Sequence, residues 1–288
     1  MKAPPFRYQR AETLADVFRL QHEGGTNARL LAGGQTLLAI LAFRLSAPDT
    51  LIDITRVPEL QGITQNADGH IRVGALTTHR VLGADPLLRA HVPLLAEAVP
   101  LIAHPAIRNR GTIGGSLAYA DPAAELPACC VALGATIIAA GPDGERRIPA
   151  DDFFTGLFTT ALADGELIRA VEIPQAAPGD RSTIVELTRR SGDYAMAGLV
   201  AHASAGAGVR LVYFALGPTP VDARHAAVAL GASPWTPDRI AAAQAALDHD
   251  LDPPADQHGG ADMKRHLARV LLARALARLD GSMKAAAA

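Results

Sequence analysis

Apolar positions along the chain follow two spacings, and the switches between them predict a run of short strands and helices. Thr13 and Asp16 have the spacing of a capping box. Leu14, Val17 and Phe18 recur at helical spacing until Gly24-Gly25 ends the element. Ala28 to Leu31 reads as a short strand. After Gly33-Gly34 a helical stretch runs from Leu37 to Leu45, Pro48 breaks it, and Thr50 to Ile54 reads as a second strand. These residues predict a small α/β unit.

The pattern changes at Ile71. Ile71 to Ala75 predicts a strand, and Thr77, Asp85 and Pro93 suit the starts of short helices, proline being at home in a first helical position. His104 to Ser116 reads as a loop. Pro122 opens a helix through Leu133, which Pro127 joins only near its beginning. Ala135 to Ala139, Ile148, and Leu167 to Ile173 read as strands, with Gly141-Pro142-Asp143-Gly144 as a hairpin turn. Pro174 to Asp180 has the composition of a linker. Beyond it come a strand (Thr183 to Thr188), an apolar segment from Ala195, a strand (Val209 to Leu216) and three helical stretches. The last carries Leu267, Val270, Leu271, Leu276 and Leu279, and the tail Lys284 to Ala288 carries no pattern. Three units result, the first two forming one cofactor-binding region.

Composition narrows the chemistry. With 288 residues, 49% of them hydrophobic, the chain can bury a sizeable core. A net charge of -2 without a basic run excludes a nucleic-acid footprint. Apolar stretches are broken by Pro127, Gly134 or Pro174 before reaching membrane-spanning length. The N-terminal MKAPPFRYQR lacks the apolar segment of a secretory signal, so a cytoplasmic location is expected. The two cysteines, Cys129 and Cys130, are adjacent in an apolar run and read as core residues. Two thiolates cannot hold a 2Fe–2S cluster, which takes four. The histidines lack metal-ligand spacing. Redox chemistry here must come from an organic cofactor or a partner.

Two glycine segments are the candidate site: LLAGGQTLL, Leu30 to Leu38, and IRNRGTIGGSLA, Ile107 to Ala118. Glycine lets backbone approach a ligand closely, successive N–H groups in such turns attract anions, and a helix beginning just after adds its N-terminal dipole. Two such loops face to face can clamp a pyrophosphate. Thr36, Thr112 and Ser116 offer hydroxyls, and Arg29, Arg108 and Arg110 offer charge. Each loop alone also reads as an ordinary turn; neither matches GxGxxG or GxxxxGK[ST]. Asp151-Asp152 reads as solvated or capping, His104 as a loop histidine bonded to backbone, and Arg189-Arg190 as a solvated pair. Gly114-Gly115-Ser116-Leu117-Ala118 lacks the final glycine and preceding strand of a nucleophile elbow. No residue is assigned a catalytic or metal-binding role.

Five ordered blocks carry a resemblance. AGGQT-LL with AFRL-SAPDTLIDI, IRNRGTIGGSLAYADPAAELPA, DDFFTG, ELIRAVEIP and TRRSGDYAMAG resemble the FAD-binding medium subunits of the xanthine dehydrogenase and carbon monoxide dehydrogenase family, the molybdenum hydroxylases. Thr36 stands where serine is commoner and Ala39 where proline is frequent. The resemblance implies an α+β fold: a vanillyl-alcohol-oxidase-type FAD domain (residues 1–176) of two α/β lobes, about 1–56 and 57–176, then a C-terminal α/β flavoprotein domain, 177–288. It implies FAD contacts from Ala32, Gly33, Gly34, Gln35 and Thr36, flanked by Leu30, Leu31 and Leu37. A second segment would be Gly111, Thr112, Ile113, Gly114 and Gly115, with Ser116 beside it. Ile102, Ala103, Glu125 and Ile168 would lie near the cofactor, and Tyr194 against the isoalloxazine.

The implied partners are a large subunit with the molybdenum cofactor, which oxidises substrate, and a small subunit with two 2Fe–2S clusters, joined as a dimer of heterotrimers. Electrons would reach FAD here and leave to an external acceptor. An independent FAD-dependent oxidoreductase of the same fold is the alternative, and a non-enzymatic nucleotide-binding protein a third; a flavin spectrum separates the last from the others.

Overall fold

The computed structural model describes residues 2–204 and 208–281; the tail Lys284 to Ala288 lies outside them. The first unit is a three-stranded parallel sheet with Thr50–Asp53 between Arg7–Arg10 and Ala28–Leu31. Its central strand is buried throughout. Parallel strands need crossovers: the helix Leu14–Gly24 joins the two outer strands, and the segment with the helix Leu37–Ala42 returns from Ala28–Leu31 to the centre. Thr13 accepts from the Asp16 amide (3.1 Å) and Asp16 accepts from the Thr13 amide (3.2 Å), so the predicted capping box forms. Arg7–Arg10 escaped the pattern because RYQR is an edge strand with no buried residue. The helix after the glycine pair is shorter than expected, Leu37–Ala42. Its last turn tightens through Arg44 N–H to Leu41 (3.0 Å), and Arg44 takes φ +58°.

The second unit is a five-stranded antiparallel sheet in the order Ile63–Gln65, Ile71–Gly74, Leu167–Ile173, Thr136–Gly141, Gly144–Pro149. Short helices cover it: His79–Ala84, Pro86–His91, Pro93–Ala98, Pro105–Arg108, Ile113–Tyr119 and Glu125–Ala132. Asp85 caps Pro86–His91 as anticipated, accepting from the amides of Leu87 (2.9 Å) and Leu88 (3.1 Å), and Pro93 opens the next helix as expected. Two expectations are corrected. His104 to Ser116 is not a plain loop: it holds a turn of helix and then the start of Ile113–Tyr119, capped by Thr112. The helix expected from Pro122 begins at Glu125, because Asp121 accepts from the Ala123 amide (2.9 Å) and keeps Ala124 extended. The hairpin Phe154–Gly156 with Thr159–Thr160 carried too few residues to be legible.

Beyond Pro174 to Asp180, an antiparallel sheet runs Arg181–Leu187, Ala197–Ser204, Gly208–Phe214, Val221–Asp222. Its alternation sends Ile184, Val200, Val212 and Phe214 into the core of the second unit. Val185, Leu199, Leu211 and Tyr213 face the other way, onto the helices Arg224–Leu230, Pro237–Asp250 and Ala261–Leu279. The sheet is thus a middle layer. Phe214 lies flat on Gly198, where an added Cβ would fall 2.0 Å from its ring. We expect Phe214→Ala to cost about 3–5 kcal/mol, read as a lower denaturant midpoint at unchanged slope for the whole chain.

Candidate functional site

The two glycine segments meet. A Cβ on Gly33 would lie 2.1 Å from the Arg110 carbonyl oxygen and 3.0 Å from the Gly111 Cα, so the two backbones touch where any side chain would separate them. The first segment follows the partly buried strand Ala28–Leu31; the second is pinned across space on Ala75, just past the buried strand Ile71–Gly74. Gly34 takes φ +72° and packs between Leu31 and Leu38. Gly114 lies on Ala75, its would-be Cβ only 2.5 Å from that side chain.

The loops play different parts, which the sequence did not distinguish. In the second, the amides of Ile113 and Gly114 are taken by the carbonyls of Thr77 (3.0 Å) and Ala75 (2.8 Å). The Gly115 amide is taken by the Thr112 hydroxyl (3.1 Å). In the first, the amides of Gly33, Gly34, Gln35 and Thr36 meet no acceptor among the described residues. The Thr112 amide likewise points away from its bridge partner Thr78. These five N–H groups are the free donors of the site, and an anion is the ligand that satisfies them. Arg108 does not add its charge to them. Its Nη1 donates to the carbonyls of Ile102 (2.7 Å) and Ala103 (2.9 Å). Arg29 is likewise spent on Thr26 and Ala28. Arg110 is exposed, and its guanidinium meets no partner among the described residues.

Arg108 shapes a second wall. By gathering carbonyls from the turn after Leu101 it holds Ala103 at φ +41° beside buried Ile102. Gly192, at φ +86°, rests on the neighbouring ring: its would-be Cβ falls 2.5 Å from His104 Cε1 and 3.1 Å from the Ala103 oxygen. That contact brings the C-terminal unit onto the turn and presents Tyr194, 63% exposed. Although much of the side chain is open, neighbouring protein partly desolvates its hydroxyl and, with Asp121, Tyr119 and Glu125, holds the phenol above the ordinary range. Glu125, first residue of its helix, is pushed up to about 8 by burial, reinforced by Glu186 and Asp121 against the pull of its own amide. At neutral pH it is a protonated carboxyl able to donate a hydrogen bond.

Comparisons with known proteins agree on one family. The model described as the FAD binding domain in molybdopterin dehydrogenase matches residues 4–176. That of the CO dehydrogenase flavoprotein C-terminal domain matches 182–279. The chain belongs to the FAD-binding subunits of the molybdenum hydroxylases. The 6-hydroxypseudooxynicotine dehydrogenase complex subunit alpha of Paenarthrobacter nicotinovorans is 39% identical over 283 residues, 96% of this chain and 95% of that one. The carbon monoxide dehydrogenase medium chain of Hydrogenophaga pseudoflava is 36% identical, covering 96% and 97%. Among solved structures, quinoline 2-oxidoreductase from Pseudomonas putida 86 superposes with a TM-score of 0.93 at 36% identity, over 99% of this chain and all of the matched one.

Within this flavoprotein subunit the structure brings Gly33 of the first segment against Gly111 of the second, and Gly192, two residues before Tyr194, against His104 and the Ala103 carbonyl. Ile113 and Gly114 are buried and pack the second loop rather than facing outward. Ile168 is also buried, in the strand beneath that helix. Ser116 lies inside Ile113–Tyr119, away from any strand-to-helix elbow. Asp151 pairs with Arg210, in keeping with a structural role. His104 proves to be a platform for Gly192 rather than a backbone-bonded loop residue; Arg189 and Arg190 are both exposed, as expected of a solvated pair, with Arg189 also donating to the Gln257 carbonyl (3.1 Å). Sequence reasoning missed Ala75, Arg108 as a gatherer of carbonyls, and the His104–Gly192 contact; a glycine at Gly192 was the only signal for the last. Among the described residues no three His, Cys, Asp or Glu side chains could hold a metal ion, and no helix is long and apolar enough to cross a membrane.

Glu125 makes a pH-dependent prediction. Its folded pKa lies above the unfolded one, so the folded chain binds the extra proton between 4.5 and about 8. The associated stability is full below that window and lost as pH rises through it. Glu125→Gln should therefore leave acid stability nearly unchanged and raise the thermal midpoint of the flavin-free chain at the alkaline end, measured by calorimetry across the window.

Proposed function

We propose that this chain is the electron-transferring FAD subunit of a molybdenum hydroxylase complex, taking electrons from the 2Fe–2S clusters of a small partner subunit and passing them to an external acceptor, while a large partner carries the molybdenum cofactor. The single observation that carries the reading is the row of free amides, Gly33 to Thr36, closed against the Gly111–Thr112 backbone. That cradle has the charge preference of a pyrophosphate and no room for a side chain. The printed names of the relatives, medium chains and subunits of dehydrogenases, support a division of labour among chains. We propose the vanillyl-alcohol-oxidase-type arrangement, with lobes of about 1–56 and 57–176 followed by a domain of 177–288, and assembly as a dimer of heterotrimers.

Bound FAD would supply the means of accepting electrons singly and releasing them in pairs. The chain's residues then have limited tasks. The amides of Gly33, Gly34, Gln35, Thr36 and Thr112 bind the diphosphate, with Arg110 lending charge. Leu30, Leu31 and Leu37 flank this segment, and Gly111, Gly114, Gly115 and Ser116 form the opposing backbone. Ile102, Ala103 and Tyr194 line the ring side, where Tyr194 limits solvent access. Glu125 holds a proton at its carboxyl, and Ile168 supports the wall from beneath. In this reading no side chain of the chain need attack substrate.

Titration of the flavin-stripped chain with FAD tests the reading. Tight, one-to-one binding is expected, and Gly33→Ala should weaken it roughly a hundredfold, about 3 kcal/mol, because the new methyl separates the two loops. A chain that cannot be reconstituted with FAD, or that oxidises a small organic compound unaided, would end the proposal.

A further inference from the structure

His79 opens the helix His79–Ala84 and is 6% exposed, yet neither ring nitrogen makes a well-formed hydrogen bond, the Thr112 backbone offering only a weak approach. A buried polar group without a well-formed hydrogen bond costs about 1–3 kcal/mol, so the position must confer something an apolar residue there would also have to supply: shape. The ring fills the space beside Gly111, whose would-be Cβ falls 3.0 Å from His79 Cε1 and 3.1 Å from Nδ1. Its own amide donates to the Gly111 carbonyl (2.9 Å), and Thr78 bridges Thr112. Gly111 is therefore held between the imidazole on one side and Gly33 on the other.

We propose that His79 is a positioning residue for the dinucleotide site: an uncharged strut behind Gly111 and Thr112 that holds their backbone against Gly33 and aims the free Thr112 amide. The inference rests on the FAD reading above. Because its nitrogens are sealed from solvent, the ring acts through the loop and not by touching the cofactor. The strut works only while neutral. Burial, opposed by the Thr112 backbone and aided by Arg108, pushes the imidazole down to about 4. Of the charged groups on the surrounding elements, Arg108 is turned to the carbonyls of residues 100–103, Asp85 caps Pro86–His91, and Glu97 accepts from Thr183 (2.8 Å). None is placed to stabilise an imidazolium.

The test uses the purified full chain stripped of flavin, with FAD affinity from recovery of flavin fluorescence and folding from thermal melts. His79→Ala should stay folded but bind FAD roughly tenfold or more weakly, and free imidazole should restore much of the loss by refilling the hole. His79→Leu, uncharged and similar in volume, should bind within about threefold of the unaltered chain. Its affinity should also stay flat as pH falls toward 4, where the unaltered chain weakens as His79 protonates. Equal FAD affinity in a folded His79→Ala chain, or the same acid weakening in His79→Leu, would overturn the strut. Failure of the unaltered chain to bind FAD defeats the dinucleotide reading instead, and shows before any variant is made.

Discussion

Everything at the site depends on one close approach, the contact of Gly33 with the Arg110–Gly111 backbone. Two peptide segments nearly eighty residues apart lie in van der Waals contact, and no side chain fits between them. Backbone that approaches backbone this closely exposes amides instead of side chains. The amides of the first loop stay free because no neighbouring carbonyl is placed to take them. The second loop is the opposite case, its helix start closed by Thr112, Thr77 and Ala75. One loop offers donors and the other supplies the rigid surface that keeps them in place.

The rigidity comes from layers. The middle sheet, buried on both faces, joins the core beneath the second loop to the C-terminal helices. Through this sheet the C-terminal unit is fixed to the cofactor-binding region, and its Gly192 turn rests on His104. Tyr194 is therefore set by a contact between units rather than by its own strand. The titratable groups nearby, Glu125 and His79, are both held uncharged by burial at neutral pH. A site formed largely of backbone dipoles and neutral side chains keeps its preference for an anion without a cluster of fixed cations.

Much of this was legible in the sequence. The capping box at Thr13, the strands Ala28–Leu31 and Thr50–Asp53, the hairpin at Gly141 to Gly144 and the proline-opened helices follow from local rules, and the structure forms them. Local rules failed where partners far along the chain intervene. Arg7–Arg10 is a strand only because Thr50–Asp53 pairs with it. Ala124 stays extended because the Asp121 side chain competes with the helix. Nothing local singles out His79, because what lies against its ring is Gly111, thirty-two residues further along the chain.

By itself the sequence determined the types of the elements, the two glycine segments and, through five ordered blocks, the family. Those are properties of short stretches, fixed by propensity, capping and the absence of Cβ atoms. Only the tertiary structure decided that the two segments touch, which of them keeps its amides free, and that Arg108 spends its charge on carbonyls instead of the site. Each of these depends on which distant group fills a given hydrogen bond or volume first, and that competition is settled by packing rather than by neighbours in the chain.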